Sequence, residues 1–196
     1  MARGKIIIAV GLAGVGKSSV LKELQDLANK GKKNLTIVSY GTLMMEQAKK
    51  RKITEERDNL RHSSIDDQKE LQANAAKEIV KIAKNWDYVV VDTHMIINTD
   101  KGYFPGLPNF ILSILNPSLF VIIEAKPETI LLRRITDTTR KRDLSSLEDL
   151  LTEVTLSRAA AAACSVFTGA PAKFIENLPN KQAETAAQFM AAVEGI

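Results

Sequence analysis

The stretch Lys5-Ile6-Ile7-Ile8-Ala9-Val10-Gly11-Leu12-Ala13-Gly14-Val15-Gly16-Lys17-Ser18 decides the fold of this chain. Ile6 to Val10 is apolar at every position, without the polar alternation of a half-exposed strand, as expected of a parallel strand buried on both faces. Gly11 to Ser18 then fit G-x-x-x-x-G-K-[ST], and Ser18 to Lys30 carries Val20, Leu21, Leu24 and Leu27 at helical spacing. Strand, glycine-rich turn and helix in that order give the pattern a mechanism. The glycines allow successive N–H groups to turn inward as a nest for phosphate oxygens, and the helix adds the positive end of its dipole. The expected nucleotide-binding residues are Gly11, Leu12, Ala13, Gly14, Val15, Gly16, Lys17, Ser18 and Ser19. Within them Lys17 reaches the β- and γ-phosphates of ATP, Ser18 ligates Mg²⁺, and Ser19 offers a donor near the α-phosphate. The bland alternative, a turn that binds nothing, requires the strand and helix context to be accidental.

Working outward, strand-like runs recur at Leu35 to Ser39, Tyr88 to Asp92 and Leu119 to Glu124, with a weaker one at Lys173 to Ile175. Helical patterns lie between them: Ser64 to Lys84 behind a serine cap and an acidic first turn, a helix opened by Pro127 and Glu128, one from Ser145 or Ser146 to about Thr168, and one from about Lys181 to the end. Alternating β and α elements predict an α/β P-loop sandwich with a parallel sheet, in one domain over residues 1–196. Two segments break the alternation and read as insertions, a helical one at about 41–84 and a short arginine-rich one at about 136–143. The 196 residues suffice for one core, and a net charge of +4 is too modest to name a partner. Cys164 is the only cysteine, so an internal disulfide is excluded. With no long apolar segment at the start and no uninterrupted membrane-length run, the expected place is the cytoplasm.

Further chemistry gathers around the glycine-rich turn. Asp92 ends a hydrophobic strand, where a P-loop protein holds magnesium, often through water; the alternative is a capping Asp. His94, two residues on, either touches substrate or is a satisfied polar residue below the site. Arg133, Arg134, Arg140, Lys141 and Arg142 form a basic cluster that is either a solvated face or a lid. Phosphoryl transfer leaves charge on the moving group and needs exclusion of water, so Arg133, Arg140 and Arg142 join Lys17 as catalytic candidates. Tyr40, Gly41 and Thr42 follow the second strand, where a base or ribose can rest. Arg57 and Arg61, four apart on one helix face, fit an acceptor phosphate, with surface ion pairing as the alternative. The segment Gly102-Tyr103-Phe104-Pro105-Gly106-Leu107-Pro108 lines an acceptor pocket or merely connects a helix to a strand.

Taken together, GLAGVGKSS, SYGTLM, ERDNLR, VDTH, GYFPGLP, RRITDTTRKRD and SRAAA, in order along nearly the whole chain, resemble the archaeal-type adenylate kinases. The resemblance implies a five-stranded parallel sheet with an AMP-binding insertion and a short lid. It also implies Mg²⁺-dependent conversion of ATP and AMP into two ADP, and a homotrimer. Lys17, Asp92, Arg61, Arg140 and Arg142 carry the matched roles, and Tyr40, Gly41, Thr42, Arg57, His94 and Gly106 complete the expected AMP site. One position departs: the family usually places a basic residue before the GY-PGLP segment, where this chain has Asn98, with Lys101 close by. Two other readings stay open. One is a kinase for another nucleoside monophosphate or a small metabolite. The other is a nucleotide-switched, RNA-associated ATPase, for which only Lys49-Lys50-Arg51-Lys52 speaks, without the aromatics that stack bases.

Overall fold

The computed structural model describes residues 3–54, 63–99, 102–136 and 146–196. In chain order its elements are β1 (Lys5–Val10), α1 (Lys17–Lys30), β2 (Leu35–Ser39), α2 (Tyr40–Lys50), α3 (Ile65–Ile82), β3 (Tyr88–Thr93), β4 (Ile96–Thr99) and β5 (Gly102–Pro105). There follow α4 (Asn109–Leu115), β6 (Leu119–Glu124), α5 (Pro127–Thr136), α6 (Leu147–Thr168), β7 (Ala172–Glu176) and α7 (Gln182–Glu194).

Five strands form one parallel sheet in the order β2-β3-β1-β6-β7, so the strand that feeds the glycine-rich turn lies at its centre. Successive side chains point to opposite faces, and here both faces are covered. Ile6, Ile8, Val10, Val89, Val91, Phe120 and Ile122 pack with α3, α4 and part of α6 on one side. Ile7, Ala9, Val90, Val121 and Ile123 pack with α1, α7 and Ile130 of α5 on the other. Burying an Ile, Val or Phe fully is worth about 1.5–3 kcal/mol, and this two-sided demand is why the runs lack alternation.

The five strands and the helices lie where the apolar runs and caps place them. Ser64 accepts from the Asp67 N–H at 3.1 Å. At α6, Ser146 Oγ accepts from the Asp149 N–H at 3.1 Å while Asp149 Oδ2 accepts from the Ser146 N–H at 2.9 Å, a reciprocal capping box. The Ser146 hydroxyl, then its N–H, hold the Asp149 carboxyl below its ordinary value. The segment with two readings, Gly102 to Pro108, is no simple connector: β4 and β5 pair antiparallel as a hairpin, with Asn98 opposite Tyr103, and α4 follows. Each hairpin strand has only four residues and is partly exposed, so it leaves little periodic signal.

By length and composition α6 is apolar enough to cross a membrane. Two of its charges are nevertheless engaged with the rest of the fold: Glu153 pairs with Arg134 at 2.9 Å and Arg158 with Glu124 at 2.7 Å, while Leu150, Ser157, Ala161 and Cys164 are buried.

Candidate active site

The glycine-rich loop stands at the carboxyl edge of the sheet, where open α/β sheets bind ligands. Gly14 and Gly16 have φ of +101° and +86°, left-handed values that suit glycine. The backs of its peptide units are held. Arg134 Nε donates to the Ala13 carbonyl at 2.9 Å; Arg133 Nη1 donates to the carbonyls of Gly14 at 3.3 Å and Val15 at 2.9 Å. In a planar trans peptide the C=O and the next N–H point opposite ways, so drawing these carbonyls back aims the Gly14 and Gly16 N–H groups to the other side, while the Val15 N–H donates to the Leu12 carbonyl at 3.2 Å. That is the geometry of an anion nest.

Lys17 is buried, and its Nζ donates to Asp92 Oδ1 in a close ion pair. The register explains the meeting: Asp92 lies on β3 opposite Ala9, just below the point where β1 gives way to the loop. His94 Nδ1 lies 3.0 Å from the Gly11 carbonyl and carries the proton in that contact, because a carbonyl only accepts. Ser18 and Ser19 sit exposed on the first turn of α1.

A cleft of about 400 Å³, open to solvent, adjoins this pair. It is lined by Lys17 and Asp92, by Tyr40, Gly41, His94 and Gly106, and by Met44, Gln72, Thr93 and Ile97. Tyr40 is largely buried, its hydroxyl donating to the Gln72 carbonyl at 2.8 Å, and burial pushes its phenol well above the ordinary value. Thr42 stays outside the cleft: it is exposed, and its N–H caps α2 through Ser39 Oγ at 3.3 Å. Arg57, Arg61, Arg140, Lys141, Arg142 and Lys101 lie outside the described residues.

Sequence reasoning gave no role to Gln72. Its Nε2 donates to the carbonyls of Pro105 at 3.2 Å and Gly106 at 3.4 Å. Those acceptors fix the amide, since the reverse orientation would oppose oxygen to oxygen. Oε1 is then buried with no hydrogen-bond partner among the described residues. No signal marks Gln72 on the sequence, where it is one polar residue of α3. Arg134 was visible only as a member of the basic cluster.

Gly106 ties the hairpin to the cleft. Its N–H donates to the Met95 carbonyl at 2.9 Å, and a Cβ there would lie 1.9 Å from the His94 carbonyl oxygen, backbone against backbone. Gly106→Ala is expected to raise the KM for the cleft's ligand about tenfold and lower the thermal midpoint, with the KM of the loop's ligand nearly unchanged. Equal effects on both substrates in steady-state kinetics would overturn this division of the site.

The family described as an AAA domain matches residues 10–151. The chain is 48% identical over 174 residues to an adenylate kinase of Thermoplasma acidophilum, covering 89% of this chain and 90% of that one. It is 42% identical over 176 residues to an adenylate kinase of Methanocaldococcus jannaschii (89% and 91% covered). To that of Methanopyrus kandleri it is 37% identical over 194 residues (98% and 100%). Among solved structures, shikimate kinase from Bacteroides thetaiotaomicron superposes with a TM-score of 0.61 at 13% identity, over 98% of this chain and 99% of that one. A sugar kinase from Janibacter sp. gives 0.54 at 10% identity, over 96% and 95%. These two likenesses speak to the fold.

Proposed function

The chain belongs to the archaeal adenylate kinase family, and from its site we propose how it passes the γ-phosphoryl group of ATP to AMP, giving two ADP. One observation carries the reading: Tyr40, Gly41, His94 and Gly106 line the same cleft as Lys17, so an acceptor seated there lies next to the lysine of the phosphate loop. The donor's phosphates lie along Gly11 to Ser19. The reacting groups meet at Lys17, and little covalent chemistry is asked of the protein beyond placing them and meeting the charge.

Among the described residues Lys17, Arg133 and Arg134 are cations set against the loop, and Arg140 and Arg142 are proposed to join Lys17 and Arg133 in the transfer from the 136–143 lid. Arg57 and Arg61, within the 41–84 insertion, are proposed to take the acceptor phosphate. Mg²⁺ is proposed to arrive with the nucleotide. Ser18 and Asp92 offer it hard oxygens, and among the described residues no group of three His, Cys, Asp or Glu forms a protein cage. That donor set fits an ion shared with phosphates. When bound, the ion neutralises charge on the β- and γ-phosphoryl oxygens.

Gln72 lines the cleft, and its buried Oε1 has no hydrogen-bond partner among the described residues. Turned toward the base by rotation of the side chain, that acceptor would meet an amino group, which adenine and cytosine carry where guanine and uracil present a carbonyl, so it favours AMP and CMP over GMP and UMP. ADP formation from ATP and Mg²⁺ with AMP, CMP, UMP or GMP, and with no acceptor, tests the reading. Turnover is expected to be highest with AMP and poorest with UMP and GMP. Flat, acceptor-independent hydrolysis would sink it.

A homo-oligomer, a trimer by resemblance, is also proposed. The support is the apolar outer side of α6 and its surroundings, where Leu151, Val166, Phe167 and Phe174 are exposed. Sedimentation velocity at micromolar concentration is expected to give a trimer; a single monomer species would overturn this. A cytoplasmic place is proposed too, supported by the lone, reduced Cys164, whose buried thiol is pushed above its ordinary value.

A further inference from the structure

We propose that Asn177, supported by Thr185, is a positioning residue that keeps the phosphate loop shaped for the donor nucleotide. Asn177 follows directly on β7. Its N–H donates to the Glu124 carbonyl at 2.7 Å, which extends the β6–β7 ladder by one residue and fixes the backbone. The side chain turns inward and is 1% exposed. Its Nδ2 donates to the Val15 carbonyl at 2.8 Å, across 162 positions of sequence. Its Oδ1 accepts from Thr185 Oγ1 of α7 at 3.2 Å, a hydroxyl whose one proton is shared with the Lys181 carbonyl at 3.0 Å, and Thr185 is itself 2% exposed. Reversing the amide would set Oδ1 against the Val15 carbonyl oxygen, so the amide has one productive orientation.

Val15 and Gly16 share a planar peptide unit. Holding the Val15 carbonyl toward β7 therefore holds the Gly16 N–H toward the nest. The amide also packs against the loop itself: a Cβ on Gly16 would lie 2.5 Å from Asn177 Nδ2. Arg133 is the second donor on that carbonyl, at 2.9 Å. The two donors are not equivalent. Resting on the proposed function, Arg133 is needed by the transferring phosphoryl group, and Asn177 is the neutral donor that stays with the loop when it leaves. A buried, charge-free amide anchored on a strand end suits that task, since it does not compete for phosphate.

The consequence is selective. Groups bound through the loop, ATP and inorganic triphosphate, depend on Asn177; AMP, seated beyond Lys17, does not. Losing one such hydrogen bond is expected to weaken binding about tenfold. Calorimetric titration of the full chain with ATP, inorganic triphosphate and AMP tests this. Asn177→Ala is expected to raise Kd about tenfold for the first two and leave AMP unchanged. Thr185→Val, which replaces the hydroxyl by a methyl group of similar size, is expected to cost about threefold with the same selectivity, and Thr185→Ser, which keeps the hydroxyl, to bind as wild type does. Thr185→Val and Thr185→Ser decide the matter if Asn177→Ala fails to fold. Unchanged triphosphate binding, equal weakening of AMP, or a Thr185→Ser no better than Thr185→Val would each overturn the proposal. Wild-type protein that binds triphosphate but not AMP would instead strike the acceptor assignment and leave this inference standing.

Discussion

Lys17→Ala is expected to lower ADP formation by about 10³-fold while leaving the fold in place. In the proposed transfer the lysine meets charge that grows on the phosphoryl oxygens, and deleting one such preorganised donor in a water-poor site costs about 10²–10³ in rate. A buried ammonium beside the loop belongs at the upper end of that range. The structural cost is small by comparison. Its partner Asp92 has a side chain 25% exposed, so water replaces the lost cation, and a partly exposed pair is worth about 1 kcal/mol or less. Rate and stability therefore separate. Steady-state kinetics and a thermal melt on the same preparation check this, and activity within a few-fold of wild type would remove Lys17 from the transfer step.

Asp92→Asn is expected to act with the opposite sign on binding and on turnover. The substitution keeps the shape and a neutral acceptor for Lys17 but removes the negative charge. In the nucleotide-free arrangement that charge holds Lys17 and repels an incoming triphosphate. Without metal, ATP is therefore expected to bind the variant at least as tightly as wild type. As the proposed Mg²⁺ ligand, the carboxylate is one that an amide replaces poorly, so kcat is expected to fall about 10²-fold and the half-saturating metal concentration to rise. Titrating Mg²⁺ at fixed ATP measures both. A lowered rate with an unshifted metal requirement would make Asp92 a partner of Lys17 alone.

How much of this was legible beforehand differs by element. The sheet strands and the main helices followed from apolar runs, serine caps and the glycine-rich turn, because a strand covered on both faces must be continuously apolar. The β4–β5 hairpin was not legible: its strands are four residues long, partly exposed and end in Pro105, so neither period nor propensity marks them. Of the site, Lys17 and Asp92 could be named from position, but their contact, across 75 residues of sequence, depends on β3 lying beside β1. Thr42 looked like a cleft residue and is a helix cap contact instead.

By itself the sequence determined the central strand, the phosphate nest and the chemistry of its lysine, since these are local: one strand, one turn and one helix fix them through backbone geometry. The tertiary structure alone decided which polar groups stand behind the loop and beside the acceptor. Asn177, Arg133 and Arg134 reach the Ala13 to Val15 carbonyls from α5 and the end of β7, and Gln72 meets the hairpin carbonyls from α3. Such contacts leave no periodic trace. A buried hydrogen bond needs a partner at the right distance, and only strand order and helix packing bring residues that far apart in sequence to that distance.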